Sequence, residues 1–263
     1  MNWNTQICNV KQKKNTLKTI EMKKQLLNLA GLVLLVQTFG SCNFSRNTAQ
    51  AEYKKNHLLT KADQDALTPD QVLQQFKDGN ERFITSNFTK RAHSEEIRKA
   101  VTGGQFPKAM VLSCVDSRVP VEDVFDQGLG DVFVGRVAGN FVNTDLLGSM
   151  EFACKVSGAK LILVMAHQHC GAVKGAIDDV HLGNITSMLA NLRPAVEMSQ
   201  SFAGEKTSKN ESYVRLVAQN NVRNTIAQIR SKSEILRTME SQGAIKIVGA
   251  FYTLRTGELQ FLD

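Results

Sequence analysis

The chain has 263 residues, 42% of them hydrophobic and 22% charged, so it can bury a substantial core in one large domain or two small ones. Its formal net charge of +7 is concentrated at the start, because residues 1–41 contain six lysines and one acidic residue, a net of +5. The remaining +2 shows no basic stripe interleaved with aromatic residues, which argues against a nucleic-acid partner.

The first 41 residues have the pattern of a secretory signal. A basic pair, Lys23 and Lys24, precedes the apolar run LLNLAGLVLLVQTF over residues 26–39. This run is too short to span a bilayer comfortably and suits the core of a signal peptide. We therefore expect residues 1–41 to form a signal-peptide region, with Met22 as an alternative first residue.

The segment after this region predicts a lipid anchor and a tether. Cys42 follows Gly40 and Ser41, a junction similar to the bacterial lipoprotein signal, in which the acylated Cys becomes the new N-terminus. We expect a lipid-anchored protein on the periplasmic side of a bacterial membrane, or alternatively a soluble periplasmic protein. Residues 42–67 are polar and lack periodicity, which predicts a flexible tether before a single domain at residues 68–263.

The domain alternates between helical and strand patterns. A helix should begin at Thr68-Pro69, because Thr is a good N-cap and Pro fits the first turn. The predicted strands are 109–115, 131–137, 161–166, 244–254 and 258–262, and further helices are predicted at 95–101, 121–126, 145–157, from 171 onward, 211–228 and 233–239. This alternation predicts an α/β fold with a mainly parallel central sheet flanked by helices and closed by a hairpin.

Polar and sulfur-containing side chains follow two of the predicted strands. The first strand leads into SCVDSR, and the third leads into AHQHC. In α/β sheets, functional groups gather at the carboxyl ends of the strands. If the backbone stays extended, Cys114, Asp116 and Arg118 share one face. His167 and Cys170 are three residues apart, at the end of a strand and the start of a helix.

These residue types are compatible with a metal site. Two thiolates and one imidazole suit Zn²⁺, and three protein ligands leave one position for water. A helix start at Cys170 should favour its thiolate form. Each residue alone also has a simpler interpretation, because a buried Cys is usually a small hydrophobe and a buried His usually makes a core hydrogen bond. We expect Cys154 to be a core residue, and His169 to be exposed or behind the ligands.

A family resemblance adds to this interpretation. CVDSRVP at 114–120, together with HQHCGAV at 167–173, resembles the paired signature of the β-class carbonic anhydrases. FDQGLGDVFVGRVAGN, NNVRNTI and GAFYTLRTGEL are similar to further segments of that family. The resemblance covers about residues 69–263, and it implies the β-carbonic anhydrase fold and a homodimer or a higher homo-oligomer built from it.

The resemblance also implies a reaction and a role for each site residue. One zinc ion per chain would be bound by Cys114, His167 and Cys170, and a zinc-bound hydroxide would convert CO2 to bicarbonate and a proton. Asp116 and Arg118 would form the acid–arginine pair beside the metal. In a closed state, Asp116 would instead be the fourth zinc ligand.

Three other functions stay open at the level of the sequence. A carbon disulfide or carbonyl sulfide hydrolase could use the same fold and zinc site. A non-catalytic zinc-binding module would result if Asp116 filled the fourth position permanently. A thiol redox protein would require a resolving cysteine near Cys114 or Cys170, and the sequence contains no C-x-x-C.

Overall fold

A computed structural model describes residues 58–89 and 93–262. The strands are β1 (Ala109–Ser113), β2 (Val132–Arg136), β3 (Leu161–His167), β4 (Lys246–Tyr252) and β5 (Leu259–Leu262). The helices are α1 (Lys61–Ala66), α2 (Pro69–Ile84), α3 (Glu95–Ala100), α4 (Val121–Val124), α5 (Thr144–Glu151), α6 (Gly171–Ile177), α7 (Gly183–Ala190), α8 (Arg193–Met198), α9 (Glu211–Lys232) and α10 (Glu234–Ser241). Within these described ranges, no helix is both long enough and apolar enough to cross a membrane.

The described strands form one sheet in the order β2-β1-β3-β4-β5. β1 pairs in parallel with β2 and β3, and β3 pairs in parallel with β4, while β5 is antiparallel to β4. Every residue of β1 and β3 is buried, as expected for central strands whose two faces are both covered. The predicted α/β fold with a mainly parallel sheet and a closing hairpin is confirmed.

The sheet separates two apolar layers. Along β1, Met110 and Leu112 belong to one layer, and Ala109 and Val111 belong to the other, because successive side chains of a strand point to opposite faces. The first layer contains the apolar side chains of α9. The second contains those of α2, including the fully buried Phe76. Full burial of such a side chain stabilises the fold by about 1.5–3 kcal/mol.

Part of the predicted tether is a helix. The prediction of a tether over residues 42–67 is wrong for α1, which occupies its last part. Thr60 caps α1 by accepting a hydrogen bond from the Asp63 amide, and the Asp63 carboxylate accepts one from the Thr60 amide at 2.9 Å. This reciprocal cap satisfies two amides at the start of a helix, which is why a polar segment without an apolar face can still be helical.

The side chain of Gln64 attaches α1 to the domain. Gln64 is fully buried, and its Nε2 donates hydrogen bonds to the carbonyls of Pro107 and Ser157, each at 2.7 Å. Such an interaction leaves no periodic trace in the sequence. The predicted signal-peptide region, Cys42 and the rest of the predicted tether up to residue 57 lie outside the described residues.

Several predicted boundaries also differ from the structure. β1 ends at Ser113, two residues earlier than predicted. The predicted helix at 145–157 is an α-helix only as far as Glu151, and Phe152–Val156 form a π-helical segment. Helices α7 and α8 were not predicted, because their short apolar stretches are broken by polar residues.

Helix α9 lies unusually close to the sheet. At Gly249 of β4, a Cβ atom would be only 2.6 Å from Cγ1 of Val222, so only glycine permits this approach. Asn221 and Thr225 of the same helix are fully buried and polar. The close packing thus brings polar side chains of α9 into the interior beside the strand ends.

Candidate metal centre

The carboxyl ends of β1 and β3 bring three donor side chains together. The strands are adjacent in the sheet, with Ser113 opposite Met165. Cys114 directly follows β1, His167 is the last residue of β3, and Cys170 is the N-cap of α6. One donor atom from each of these three side chains lies within 4.8 Å of the others, and all three residues are buried. The predicted convergence of these residues is therefore present in the structure.

His167 presents a nitrogen lone pair to this cluster. Its Nδ1 lies 2.8 Å from the carbonyl oxygen of Gln168, so Nδ1 carries the hydrogen and donates it. Its Nε2 is then an acceptor, and this atom is buried without a hydrogen-bond partner. A buried acceptor without a partner is costly unless something binds it. Together with two sulfur atoms, this nitrogen makes a donor set that fits a metal ion.

The two thiols share one hydrogen bond, with their sulfur atoms 3.9 Å apart. Donation from Cys170 is the main reason that the pKa of Cys114 falls to about 4. The same hydrogen bond, followed by burial, raises the pKa of Cys170 well above that of an ordinary thiol. Without a cation between them, the two thiols share one proton, and their hydrogen bond favours Cys114 as the thiolate.

The expected effect of the helix start on Cys170 is present but is outweighed. The start of a helix was expected to favour the thiolate of Cys170. The amides of Ala172 and Val173 do lower its pKa, but burial and the neighbouring Cys114 outweigh them. The helix start alone therefore does not ionise Cys170.

Asp116 and Arg118 form a close pair beside the cluster. Arg118 holds both oxygens of the carboxylate, with Nε 2.9 Å from Oδ1 and Nη2 2.7 Å from Oδ2. These hydrogen bonds keep the pKa of Asp116 well below its usual range, so it is ionised at neutral pH. Oδ2 is also 3.8 Å from Nε2 of His167, which is beyond hydrogen-bond distance. The carboxylate is thus next to the three donors but oriented by the arginine.

The pair is built by a turn rather than by an extended strand. Cys114, Asp116 and Arg118 were expected to share one face of an extended backbone, and this is wrong because β1 ends before them. The Arg118 amide donates to Oδ1 of Asp116 at 2.9 Å, and the Val119 amide donates to the Asp116 carbonyl at 3.2 Å. Asp side chains commonly close turns in this way.

Arg136 fixes this turn from the neighbouring strand. Its Nε donates to the carbonyl of Cys114 at 3.0 Å, and its Nη2 donates to the carbonyls of Asp116, at 3.3 Å, and Val119. Arg136 is not among the site residues expected from the sequence. Its position at the end of β2, directly opposite Ser113, is the signal that could have identified it.

The remaining candidates lie as expected. Cys154 is buried in the π-helical segment, and burial raises the pKa of its thiol to about 12. His169 is not among the clustered donors, and its Nε2 lies 3.7 Å from Oε1 of Glu211. Its backbone is in the left-handed region, with φ of +56°, which allows the chain to turn between His167 and Cys170.

Comparison with known proteins identifies the family. Residues 109–259 match the family model described as "Carbonic anhydrase". The chain is 32% identical over 192 residues to carbonic anhydrase 2 of Mycobacterium tuberculosis, covering 71% of this chain and 89% of the relative.

Solved structures share the fold. A β-carbonic anhydrase of Aspergillus fumigatus aligns with a TM-score of 0.57 at 26% identity, covering 74% of this chain and 90% of the other. A structure from Sordaria macrospora, described as a tetrameric β-carbonic anhydrase, aligns with a TM-score of 0.58 at 22% identity, covering 73% and 96%. The family match and the shared fold lead to one conclusion: the chain belongs to the carbonic anhydrase family and is an enzyme of the β-class fold.

Proposed function

We propose that this chain catalyses the reversible hydration of CO2 to bicarbonate and a proton at one Zn²⁺ held by Cys114, His167 and Cys170. The observation that carries this proposal is the buried cluster of two sulfur atoms and one imidazole nitrogen without a partner, within 4.8 Å of one another. Such a donor set suits zinc, and three protein ligands are typical of catalytic zinc sites, which keep one position open. When bound, zinc lowers the pKa of a coordinated water and so supplies a nucleophile near neutral pH.

The protein contributes the orientation of its own groups. Both thiols must be thiolates to bind the metal, so Cys170 releases its proton on binding. His167 donates from Nδ1 to a backbone carbonyl, which fixes the ring with Nε2 directed at the cluster.

Asp116 and Arg118 act together as an acid–arginine pair. The ionised carboxylate can accept a hydrogen bond from the attacking water and direct it at CO2. Arg118 binds both carboxylate oxygens and draws Asp116 away from the three donors. If the carboxylate moved away from Arg118, it could serve as the fourth ligand of a bound zinc ion and so close the site.

The proposed enzyme is a homodimer or a higher homo-oligomer built from it. β2 is at the edge of the described sheet, and exposed apolar residues lie near it, including Phe152, which is 50% exposed and contacts Phe133 of that strand. An edge strand next to apolar residues favours association with another chain. The Sordaria neighbour is described as tetrameric, which supports a homo-oligomer. Light scattering that finds an active monomer at micromolar concentration would contradict it.

Export and lipidation are proposed from residues 1–42 alone. The basic pair, the apolar run and the small residues before Cys42 support an acylated Cys42 on the periplasmic side of the membrane. Mass spectrometry of the mature chain should find an acylated N-terminal Cys42. An unmodified Cys42 inside an intact chain would refute the anchor.

Stopped-flow measurement of CO2 hydration by the zinc-loaded chain tests the proposed reaction, with the chelator-treated chain as the control. We expect rapid, zinc-dependent hydration. Hydrolysis of carbon disulfide or carbonyl sulfide without CO2 hydration would overturn the assigned substrate. A chain that binds zinc but acts on none of these substrates would be a non-catalytic zinc module.

A further inference from the structure

A buried hydrogen-bond path joins helix α9 to the sulfur of Cys114. The Gly139 amide donates to Sγ of Cys114 at 3.4 Å. The carbonyl of the same Gly139 accepts a hydrogen bond from Nδ2 of Asn221 at 2.7 Å. Asn221 is fully buried, so water does not compete for this hydrogen bond. Gly139, in the turn after β2, thus accepts a hydrogen bond from α9 through its carbonyl and donates one to the sulfur through its amide.

The next peptide of this turn is held in the same way. Thr225, one helical turn after Asn221, donates from Oγ1 to the carbonyl of Asn140 at 3.3 Å. Gly139 has a φ of +83°, and a Cβ atom there would be 2.7 Å from Cδ2 of Leu192. The turn therefore needs glycine, and it fits tightly between the packed side chains and α9.

We infer that Asn221 is a positioning residue for Cys114: by holding the carbonyl of Gly139, it restrains the residue whose N–H group donates to the sulfur, and so tunes this sulfur as a metal ligand. The inference rests on the proposed function, because it takes Cys114 as a ligand. A hydrogen bond to a thiolate withdraws electron density from the sulfur and restrains its orientation. Partners behind metal ligands typically alter metal affinity by about 10–100-fold.

The neighbouring residue on α9 offers a matched control. Asn220 is also a buried asparagine, but its Nδ2 donates to Oγ of Ser199 at 2.9 Å, a bond between two helices that does not involve the turn at Gly139. Replacing either asparagine by leucine removes a buried hydrogen bond of similar length from the same helix, and Asn220→Leu also removes the bond that its Oδ1 accepts from Nη1 of Arg223 at 3.2 Å. A purely structural role predicts similar consequences for both variants.

Cobalt substitution distinguishes a positioning role from a purely structural one, because Co²⁺ bound to thiolates shows a sulfur-to-metal charge-transfer band. We would titrate the full chain, Asn221→Leu and Asn220→Leu with Co²⁺ against a competing chelator and record the band. Asn221→Leu should bind Co²⁺ about tenfold or more weakly, because the sulfur is no longer held in its orientation. The band should move to lower energy, because the sulfur loses the hydrogen bond that withdraws electron density from it. Asn220→Leu should keep the wild-type band and affinity, even if its melting temperature falls.

An Asn221→Leu variant with the wild-type band and an affinity within about twofold of the parent would overturn the inference. If this variant does not fold, Thr225→Val takes its place and should shift the band in the same direction by less, with an unshifted band counting against the inference. A wild-type chain without any thiolate-to-cobalt band would instead refute the ligand assignment on which the inference rests.

Discussion

The buried donor cluster and the partly exposed acid–arginine pair occupy the same edge of the sheet but are constructed differently. Cys114, His167 and Cys170 are each at most 4% exposed, whereas the side chain of Arg118 is 54% exposed. The cluster is fixed by the ends of two strands and the start of a helix. Asp116 and Arg118 lie in a turn and are held by each other and by Arg136.

Under the proposed function, this contrast assigns metal retention and catalysis to separate parts of the site. Regular elements hold the three donors in place, so the metal should stay bound when the turn is altered. In the turn, Arg118 is accessible to solvent, while the side chain of Asp116 is 15% exposed and lies between Arg118 and the donors, which suits a group that orients water or closes the site. Substitutions in the two regions should therefore have separable effects, and the following four predictions test this.

The largest effect is expected from the buried cluster. Cys170→Ser replaces a thiolate by a hydroxyl, which is a poor zinc ligand, so stoichiometric zinc and all zinc-dependent activity should be lost. Elemental analysis gives the zinc content per chain. Cys154→Ser is the matched control, because it alters a buried thiol outside the cluster and should keep one zinc per chain. One zinc per chain in Cys170→Ser would show that the ligand assignment is wrong.

In the exposed pair, Arg118→Ala should reduce CO2 hydration by about a hundredfold while zinc stays near one per chain. The change removes the main cause of the low pKa of Asp116 and frees its carboxylate to approach the donors. Stopped-flow rates and elemental analysis on the same sample separate the two quantities. Arg118→Lys keeps the charge without the planar fork and should be intermediate. Near wild-type hydration across neutral and alkaline pH would refute the role of the pair.

A third prediction concerns proton release on metal binding. In the metal-free chain, the pKa of Cys114 is about 4 and that of Cys170 is raised, so only Cys170 holds a thiol proton at pH 7.5. Binding should release close to one thiol proton per metal ion, and affinity should rise about tenfold per pH unit. Titration with Cd²⁺ in a dye-buffered solution measures the protons. Release of two protons per metal ion would mean that both thiols are protonated in the metal-free chain, and it would contradict the prediction.

The smallest effect is expected at Cys154, a buried thiol outside the donor cluster whose pKa is raised by burial. Burial raises its folded pKa to about 12, above the unfolded value of about 8.5. The folded state therefore favours the neutral thiol, and this contribution is present below pH 8.5 and lost as pH rises towards 12. Cys154→Ala should reduce the alkaline loss of unfolding free energy by up to about 1.4 kcal/mol per pH unit. Urea unfolding between pH 8 and 11 measures this slope, and equal slopes would contradict the prediction.

The position of the donor cluster could be predicted from the sequence. Apolar runs mark β1 and β3, and parallel neighbours end at the same edge of a sheet, so residues that follow both strands must meet. Cys114, His167 and Cys170 meet in this way, and Cys154 lies elsewhere, in the π-helical segment. His169 also follows β3 but is not among the clustered donors. That the three bind zinc stays a prediction.

The supporting contacts could not be predicted, because they follow no periodic pattern. Asn221 occupies a position that resembles an ordinary polar residue of a helix, and its partner is a carbonyl 82 residues away. The turn that joins Asp116 to Arg118 depends on a local side-chain hydrogen bond that replaces the expected extended backbone. Helix α1 depends on a reciprocal cap and on one buried amide. In each case, a specific polar contact outweighs the local pattern of apolar residues.

X-ray absorption at the zinc edge of the loaded wild-type chain tests the central claim most directly. If Cys114, His167 and Cys170 bind zinc, the spectrum should show two sulfur atoms at about 2.3 Å and two nitrogen or oxygen atoms at about 2.0–2.1 Å. The second light atom belongs to water in the open state or to Asp116 in the closed state, so the count is the same for both. A coordination shell with no sulfur, one sulfur or more than two would contradict the account.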